Sequence, residues 1–385
     1  MFAIIAALLL YEARFGTAAV ERVTSAMSPG IDWIGRWLPL FYVPSLVTLP
    51  LALQALPGAL LFKVFGLLCC GWVASLLFAA FVTVRIRAVT NVELLPVPPA
   101  PKPPGFSNAN RAGWALALAA SSLGLLAAPP ALAHAAGAAF MLSATVCGFL
   151  AGSATPAVVQ KVLHPLITTG LVANGAAWLL GLCSGAGYDS VLRAYLTKGK
   201  AGAALGAGDF LMAFLHSVIL SFGFRVFAQR QLMRRHFAEI MGCVLSSSFV
   251  GMALSCVLGT ALALPPQLSL ALAPRSVTVA LALPIASMLG ASSHASLTAA
   301  AVMFTGLLGA NFAQPMLTAA GFRDPVVRGL ATAASAHGLG TAALAAKEPE
   351  ALPMAALAYA TMGVTSSLLV TLPQMRALLG AMAGM

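Results

Sequence analysis

The chain has 385 residues, of which 60% are hydrophobic and 8% are charged, and its formal net charge at pH 7 is +11. A soluble domain carries about 25% charged residues, so the composition excludes an ordinary soluble protein and indicates a surface covered by lipid. The basic excess is expected in short loops on the cytoplasmic or equivalent side of a membrane. Nucleic-acid binding is disfavoured, because no zinc spacing and no basic patch with interleaved aromatic residues is present.

Apolar runs long enough to cross a bilayer follow one another along the chain. A spanning helix needs roughly 20 residues, and Ala59 to Val84, Leu166 to Cys183 and Thr298 to Ala320 are examples. Strand alternation is absent, which excludes a barrel. We therefore predict an all-α, polytopic integral membrane protein of about 10–12 transmembrane helices, some of them broken or re-entrant.

The N-terminal region combines apolar runs with signs of a membrane interface. Trp33 and Trp37 fit an aromatic belt at a membrane boundary. Prolines interrupt the run from Leu38 to Leu56 and would break its helical hydrogen bonds. Met1 opens directly into an apolar run without a signal-peptide pattern, which a truncated N-terminus explains as well as a true start does.

A proline-rich linker follows the span that ends near Val84. Residues 85–112 read RIRAVTNVELLPVPPAPKPPGFSNANRA, and the prolines from 96 to 104 favour an extended conformation. We therefore predict a first membrane part over residues 1–90, a linker over 91–111 and a larger membrane part over 112–385.

The cysteines carry no sign of chemistry. They are Cys69, Cys70, Cys147, Cys183, Cys243 and Cys256. All lie in or beside apolar runs, and none forms a C-x-x-C pair or lies near a histidine at metal-ligand spacing. We predict no disulfide, no metal site and no cofactor.

Two segments in the last third of the chain predict opened helices. Residues 273–276, Ala-Pro-Arg-Ser, interrupt one apolar stretch. Residues 332–341, TAASAHGLGT, contain too much glycine and too many polar atoms for a lipid-facing helix. Opened helices expose backbone N–H groups that attract anions, and in transporters such helices meet near the midplane. We therefore predict that these two interruptions approach each other.

Ionisable residues at membrane depth are functional candidates, because they are costly there. Arg275 stays charged and can bind a carboxylate with two hydrogen bonds; the alternative is an arginine that snorkels to the interface. His337 can become a cation near neutral pH; the alternative is a structural histidine that braces an opened backbone. Asn311 can contact a ligand or join two helices, while Lys347 and Glu348 favour an interfacial pair.

These residues predict a binding site for a small anion. The candidates are Arg275, Ser276, Asn311, Ser335, His337, Gly338, Gly340 and Thr341. We expect Arg275 to hold a carboxylate, with hydroxyl and amide groups of residues 335–341 on the rest of the ligand. The G-x-S-x-G, H-E-x-x-H, P-loop and Rossmann spacings are absent, which disfavours an enzyme.

Several segments resemble a known family. They are RDPVVRGLATAASAHGLGTAALAAKEPEALP (323–353), APRSVTVALAL (273–283), SHASLTAA (293–300), TGLLGANF (305–312), KVLHPLITTGL (161–171) and QRQLMRRHFAEI (229–240). They are similar to the LrgB/CidB family and most similar to its plastid branch. WLPLFYVPSLVTLP (37–50) resembles the LrgA-like part fused upstream in that branch. Residues 221–224 read Ser-Phe-Gly-Phe where bacterial members have Leu-Gly-Pro-Ala, which favours the plastid type.

The resemblance implies a fused two-part protein of the plastid inner envelope that exports glycolate and returns glycerate in photorespiration. Both anions are small hydroxycarboxylates, which agrees with the predicted anion site. The implied partners are these anions and the lipid bilayer, and a homo-oligomer is left open. The alternative is a holin-like regulator of membrane permeability or cell death, as the bacterial relatives are described. A membrane enzyme is a third, weaker interpretation.

Overall fold

A computed structural model of the protein describes residues 2–41, 43–54, 56–93, 105–127, 129–160, 163–197 and 204–385. These residues are mostly helical and contain no strand. The α-helices are α1 (Phe2–Phe15), α2 (Thr17–Phe41), α3 (Val43–Val47), α4 (Leu49–Leu53), α5 (Gly58–Thr90), α6 (Asn108–Ala127), α7 (Ala133–Ala154), α8 (Ala157–Gln160), α9 (Pro165–Ser184), α10 (Tyr188–Tyr195), α11 (Ala207–Ala213), α12 (Leu215–Ala228), α13 (Arg230–Arg235), α14 (Phe237–Ala261), α15 (Pro266–Leu272), α16 (Val279–Met288), α17 (Ala295–Ala319), α18 (Pro325–Lys347), α19 (Leu352–Thr371) and α20 (Pro373–Met382).

The predicted class, an all-α polytopic membrane protein, is confirmed. Within the described residues, seven helices are long and apolar enough to cross a bilayer. They are Gly58–Thr90, Ala133–Ala154, Pro165–Ser184, Ala207–Ala228, Phe237–Ala261, Ser292–Ala319 and Leu352–Thr371. Helices satisfy their own backbone hydrogen bonds, which is the condition for spanning lipid.

Contacts divide the chain into two compact units that do not follow chain order. Unit 1 comprises Met1–Asp32, Leu56–Lys102 and Val218–Met385, and unit 2 comprises Trp33–Ala55 and Pro103–Ser217. Part of the predicted linker, residues 94–104, lies outside the described residues. The division into residues 1–90, 91–111 and 112–385 stays a prediction.

Unit 2 is built around α7 and α9, which pack closely because glycine faces the contact. A Cβ atom on Gly152 would lie 2.8 Å from the Cα of Pro165, and one on Gly148 would lie 2.9 Å from the Cβ of Val172. Small residues allow helix backbones to approach in membranes. The buried Tyr195 of α10 closes this packing with a 3.2 Å hydrogen bond between its hydroxyl and that of Thr145.

In unit 1, α18 is a re-entrant hairpin. His337 has φ 43° and ψ −141°, which no helical residue adopts. Arg328 and Glu348 form an ion pair, although a straight helix would place them about 30 Å apart along its axis. The two halves must therefore run antiparallel. We name residues 325–347 hairpin B and His337 its tip.

The helices α15 and α16 form a second hairpin in unit 1. Both pack against the turn at Ser292–His294, where α17 begins. Along α17, Thr298 bonds the carbonyl of Ala271 and Thr305 that of Arg275, at 2.9 Å and 2.7 Å. The chain therefore runs along α17 through α15, reverses at residues 273–278 and returns through α16. We name residues 266–288 hairpin A and residues 273–278 its tip.

The base of hairpin B supplies a stability prediction. Arg328 is nearly buried, pairs with Glu348 and donates to the carbonyl of Phe322 at 2.7 Å. We expect Glu348→Gln to destabilise the protein by roughly 1–3 kcal/mol, because hydrogen bonds to charged groups are worth about that. Thermal unfolding in detergent measures this, with the exposed Glu350→Gln as control. Equal melting temperatures for the two variants would contradict the pairing that defines the hairpin.

Candidate anion-binding site

The tips of the two hairpins meet on one turn of α17. Tip A is held there by the bond from the Thr305 hydroxyl to the Arg275 carbonyl, at 2.7 Å. Tip B is held by a 2.7 Å bond between Nε2 of His337 and the carbonyl of Val302. Val302 and Thr305 lie one turn apart on the same helix. The prediction that the two interruptions approach each other is therefore confirmed.

A tyrosine of α19 also lies against both tips. The ring of Tyr359 packs against Gly338 of hairpin B. A Cβ atom on Gly338 would lie 3.1 Å from this ring. Its hydroxyl interacts with the side chain of Thr278 in tip A. A Cβ atom at Gly338 would crowd this aromatic ring, and Tyr359 connects the two hairpins.

Glycines of α17 form the seat of tip B. A Cβ atom on Gly306 would lie 2.6 Å from Cε1 of His337, and one on Gly309 would lie 2.0 Å from the Cβ of Ala336. No side chain larger than hydrogen fits at either position without moving the hairpin. The positive φ of His337, rare for a residue with a side chain, is maintained by this seat and by the bond to Val302.

Arg275 lies in tip A and is fully buried. Its Nε donates to the Ser255 hydroxyl at 3.0 Å. Its Nη2 donates to the Gly71 carbonyl at 2.8 Å and the Ser75 hydroxyl at 2.9 Å, and its Nη1 reaches the Ser276 hydroxyl at 3.4 Å. Guanidinium has five N–H donors, so one N–H of Nη1 is left for another acceptor. The side chain does not snorkel to a surface.

The partners of Arg275 are all neutral. The ion pairs found within the described part of the chain involve Arg87, Arg230, His236 and Arg328, and none involves Arg275. A buried charge without a counter-ion costs several kcal/mol, because no opposite charge is present whose attraction would offset the lost hydration. The geometry therefore provides a cation that an anionic ligand can neutralise.

The other predicted residues lie in tip A, in hairpin B or on α17. Ser276 lies in tip A, and Gly338 adjoins His337 at tip B. Gly340, Ser335 and Thr341 lie within hairpin B, where the two hydroxyls donate to the carbonyls of Ala331 and His337 at 2.9 Å and 2.8 Å.

Asn311 stands apart on α17, beyond the turn that seats the tips. Its amide donates to the Leu307 carbonyl at 2.9 Å. Glu348 pairs with Arg328 at the hairpin base, and the side chain of Lys347 lies outside the described residues.

The imidazole of His337 donates from Nε2 to the Val302 carbonyl, because a carbonyl oxygen only accepts.

Sequence reasoning missed the contribution of α5 and α14. Gly71, Ser75 and Ser255 hold the guanidinium of Arg275, but each occurs in an apolar run without further polar signal. Trp72 is buried, and its indole N–H has no hydrogen-bond partner among the described residues. Its nitrogen lies 3.6 Å from the Cβ position of Gly309, beside tip B. For the residues that bind Arg275, the only sequence signal is that Gly71 and Ser75 lie one helical turn apart.

Two broken helices whose tips meet on α17, one of them carrying a buried cation, define the class: a helical membrane protein of the kind found among secondary transporters, where discontinuous helices form the substrate site. The chain belongs to the LrgB-like family, whose sequence model matches residues 145–375.

Two relatives show how the family resemblance is distributed. The chain is 44% identical, over its full length and 75% of the relative's length, to the plastidal glycolate/glycerate translocator 1, chloroplastic, of Arabidopsis thaliana. It is 26% identical to the antiholin-like protein LrgB of Bacillus subtilis (strain 168), over 42% of this chain and 70% of the relative. No solved structure matches the chain.

Proposed function

We propose that this protein is a secondary transporter that exchanges glycolate and glycerate across the plastid inner envelope. The observation that carries the proposal is the fully buried guanidinium of Arg275, which has only neutral partners at the junction of two hairpin tips. The full-length similarity to a plant glycolate/glycerate translocator supports the choice of ligand and membrane.

The carboxylate of the substrate binds Arg275 and completes its charge pairing. The hydroxyls of Ser75, Ser255 and Ser276 accept from the guanidinium without ligand, and hydroxyls can rotate to donate instead. They can therefore turn toward the carboxylate when it arrives. The substrate hydroxyl groups contact hairpin B, through His337, Ser335, Thr341 and the backbone at Gly338 and Gly340.

Alternating access follows from the arrangement of the hairpins. Hairpin A approaches the site from the beginning of α17, and hairpin B approaches it from the end of α17. Withdrawal of one tip would open the site toward one end, and withdrawal of the other would open it toward the opposite end. The buried position of Arg275 corresponds to a state in which both tips are closed.

A holin-like role in membrane permeability is the competing function, and the name of the Bacillus relative favours it. A permeability pathway would let solute leak at a rate that increases linearly with concentration. A transporter saturates, and substrate on the far side accelerates its uptake.

The test is uptake of labelled glycerate into proteoliposomes that contain the purified protein. Preloading with glycolate is expected to accelerate uptake strongly, with saturation by external glycerate. Preloading with chloride is the control. Uptake that neither saturates nor responds to internal glycolate would contradict exchange and support the permeability role.

Trp72 supplies a prediction about affinity. We propose that its unpaired indole N–H donates to the substrate, so that Trp72→Phe removes one bond while keeping an aromatic ring. The KM for glycerate should rise roughly 5- to 160-fold, the equivalent of 1–3 kcal/mol for an unmade buried hydrogen bond. Saturation curves for exchange measure this, with the exposed Trp178→Phe as control. An unchanged KM would remove Trp72 from the site.

A further inference from the structure

A second buried ionic cluster lies where α5 ends and α14 and α18 begin. We name it the His236 cluster; its members are Arg87, Thr90, His236, Glu239 and Asp324. Glu239 is fully buried and accepts from Arg87 at 3.1 Å and from Thr90 at 3.2 Å. Arg87 also pairs with Asp324 at 3.1 Å. Nothing in the proposed binding of hydroxycarboxylates uses this cluster.

His236 is the unusual member of the cluster. It is fully buried, and its Nδ1 lies 3.1 Å from Oε2 of Glu239. A carboxylate only accepts hydrogen bonds, so Nδ1 carries the proton of the neutral ring. Its Nε2 is buried without a partner among the described residues. A buried polar atom without a partner requires an explanation.

The charges of the cluster leave room for one proton. Arg87 contributes one positive charge, and Glu239 and Asp324 contribute two negative charges. Other titratable or charged groups on the described elements around the cluster include Cys243, one turn further along α14 and 3.8 Å from the Ser247 hydroxyl, Arg234 and Arg235 of α13, and Arg323, which precedes Asp324. Arg235 donates to the carbonyl of Glu93 at 3.0 Å. A proton on Nε2 would create an imidazolium beside the carboxylate of Glu239 and would balance the two negative charges of the cluster.

We propose that His236 is a proton-binding site that couples proton movement to transport of the hydroxycarboxylate, an inference that rests on the proposed function. The Nε2 lone pair takes the proton, and the resulting imidazolium keeps its bond to Glu239. One proton moving with one monovalent anion carries no net charge, so the membrane potential does not oppose the transport.

The cluster is connected to both parts of the anion site. Asp324 caps α18 by accepting from the backbone N–H of Val326 at 2.8 Å, so the ion pair with Arg87 ties the base of hairpin B to α5. Arg87 lies twelve residues beyond Ser75, about 18 Å along α5. Protonation of His236 gives Glu239 a second cation, which changes how Arg87 is shared between Glu239 and Asp324. The side chain of Asp324 is 40% exposed and opens the cluster to water.

The test compares gradient-driven uptake with exchange in proteoliposomes. Vesicles without internal substrate receive labelled glycolate at about pH 6 outside and about pH 8 inside, a gradient of two pH units. Wild-type protein should accumulate glycolate, up to about 100-fold for two pH units with one proton per anion. His236→Gln keeps a polar side chain of similar length but binds no proton. The ratio of gradient-driven uptake to exchange should fall to its value without a gradient, whereas the exposed His216→Gln should keep it.

A second measurement needs no variant. Glycolate added to wild-type vesicles should make the external medium more alkaline, which an impermeant pH dye detects. Glycolate entry without alkalinisation, or accumulation by His236→Gln at the wild-type ratio, overturns the inference while leaving exchange intact. Absence of exchange in the wild type would contradict the proposed function, and this inference with it.

Discussion

Arg275→Lys is expected to reduce glycolate/glycerate exchange by about 100-fold or more, equivalent to at least about 2.7 kcal/mol of lost stabilisation. Lysine keeps the charge, but its single ammonium cannot bond Gly71, Ser75 and Ser255 while also presenting two parallel donors to a carboxylate. Arg275→Ala should be less active still. Exchange in proteoliposomes, normalised to folded protein, measures both variants, and the exposed Arg193→Lys is the matched control.

The stability of a third variant separates ligand binding from a structural role. Arg275→Gln removes a buried charge that has no counter-ion, so the ligand-free protein should be as stable as the wild type or more stable. Glycerate should raise the melting temperature of the wild type and not that of the variant. If Arg275 only joins tip A to α5 and α14, Arg275→Lys should exchange at near wild-type rates, or Arg275→Gln should unfold more easily while still binding glycerate.

Gly309→Ala is expected to abolish most of the exchange without removing any polar group. The new methyl would lie 2.0 Å from the Cβ of Ala336, so tip B must move away from α17. Overpacking of this kind also costs about 1–3 kcal/mol of stability. The control is Gly170→Ala, where a Cβ atom would meet nothing within 4 Å.

A compensating change tests the cause of this loss. Ala336→Gly removes the methyl group that the new side chain meets, so Gly309→Ala combined with Ala336→Gly should recover much of the exchange. The coupling between the two positions is read from a double-mutant cycle. Full activity of Gly309→Ala, or a double variant no better than the single one, would show that the seat of tip B does not control transport.

The sequence predicts the class and the helix breaks because both depend on local signals. Composition alone requires lipid-facing helices, and Pro274 with the glycines at 338 and 340 marks the two interruptions. Their meeting on α17 was predictable only by analogy with discontinuous helices of other transporters.

The sequence could not predict how the hairpins close or what surrounds the cation. Reversal at His337 depends on the ion pair between Arg328 and Glu348 and on the seat at Gly306 and Gly309, which are tertiary contacts. The acceptors on α5 lie about 200 positions before Arg275 in the chain. Within the run Ala59 to Val84, only the one-turn spacing of Gly71 and Ser75 distinguishes their positions from the rest of a membrane helix.

A structure of the protein with bound glycerate tests the central claim most directly. We expect one carboxylate oxygen within about 2.7–2.9 Å of the Arg275 guanidinium, with the substrate hydroxyl groups turned toward His337 and hairpin B. The serine hydroxyls around Arg275 should then donate to the carboxylate. Glycerate bound elsewhere, with Arg275 still bonded only to Gly71, Ser75, Ser255 and Ser276, would contradict the assignment of this site.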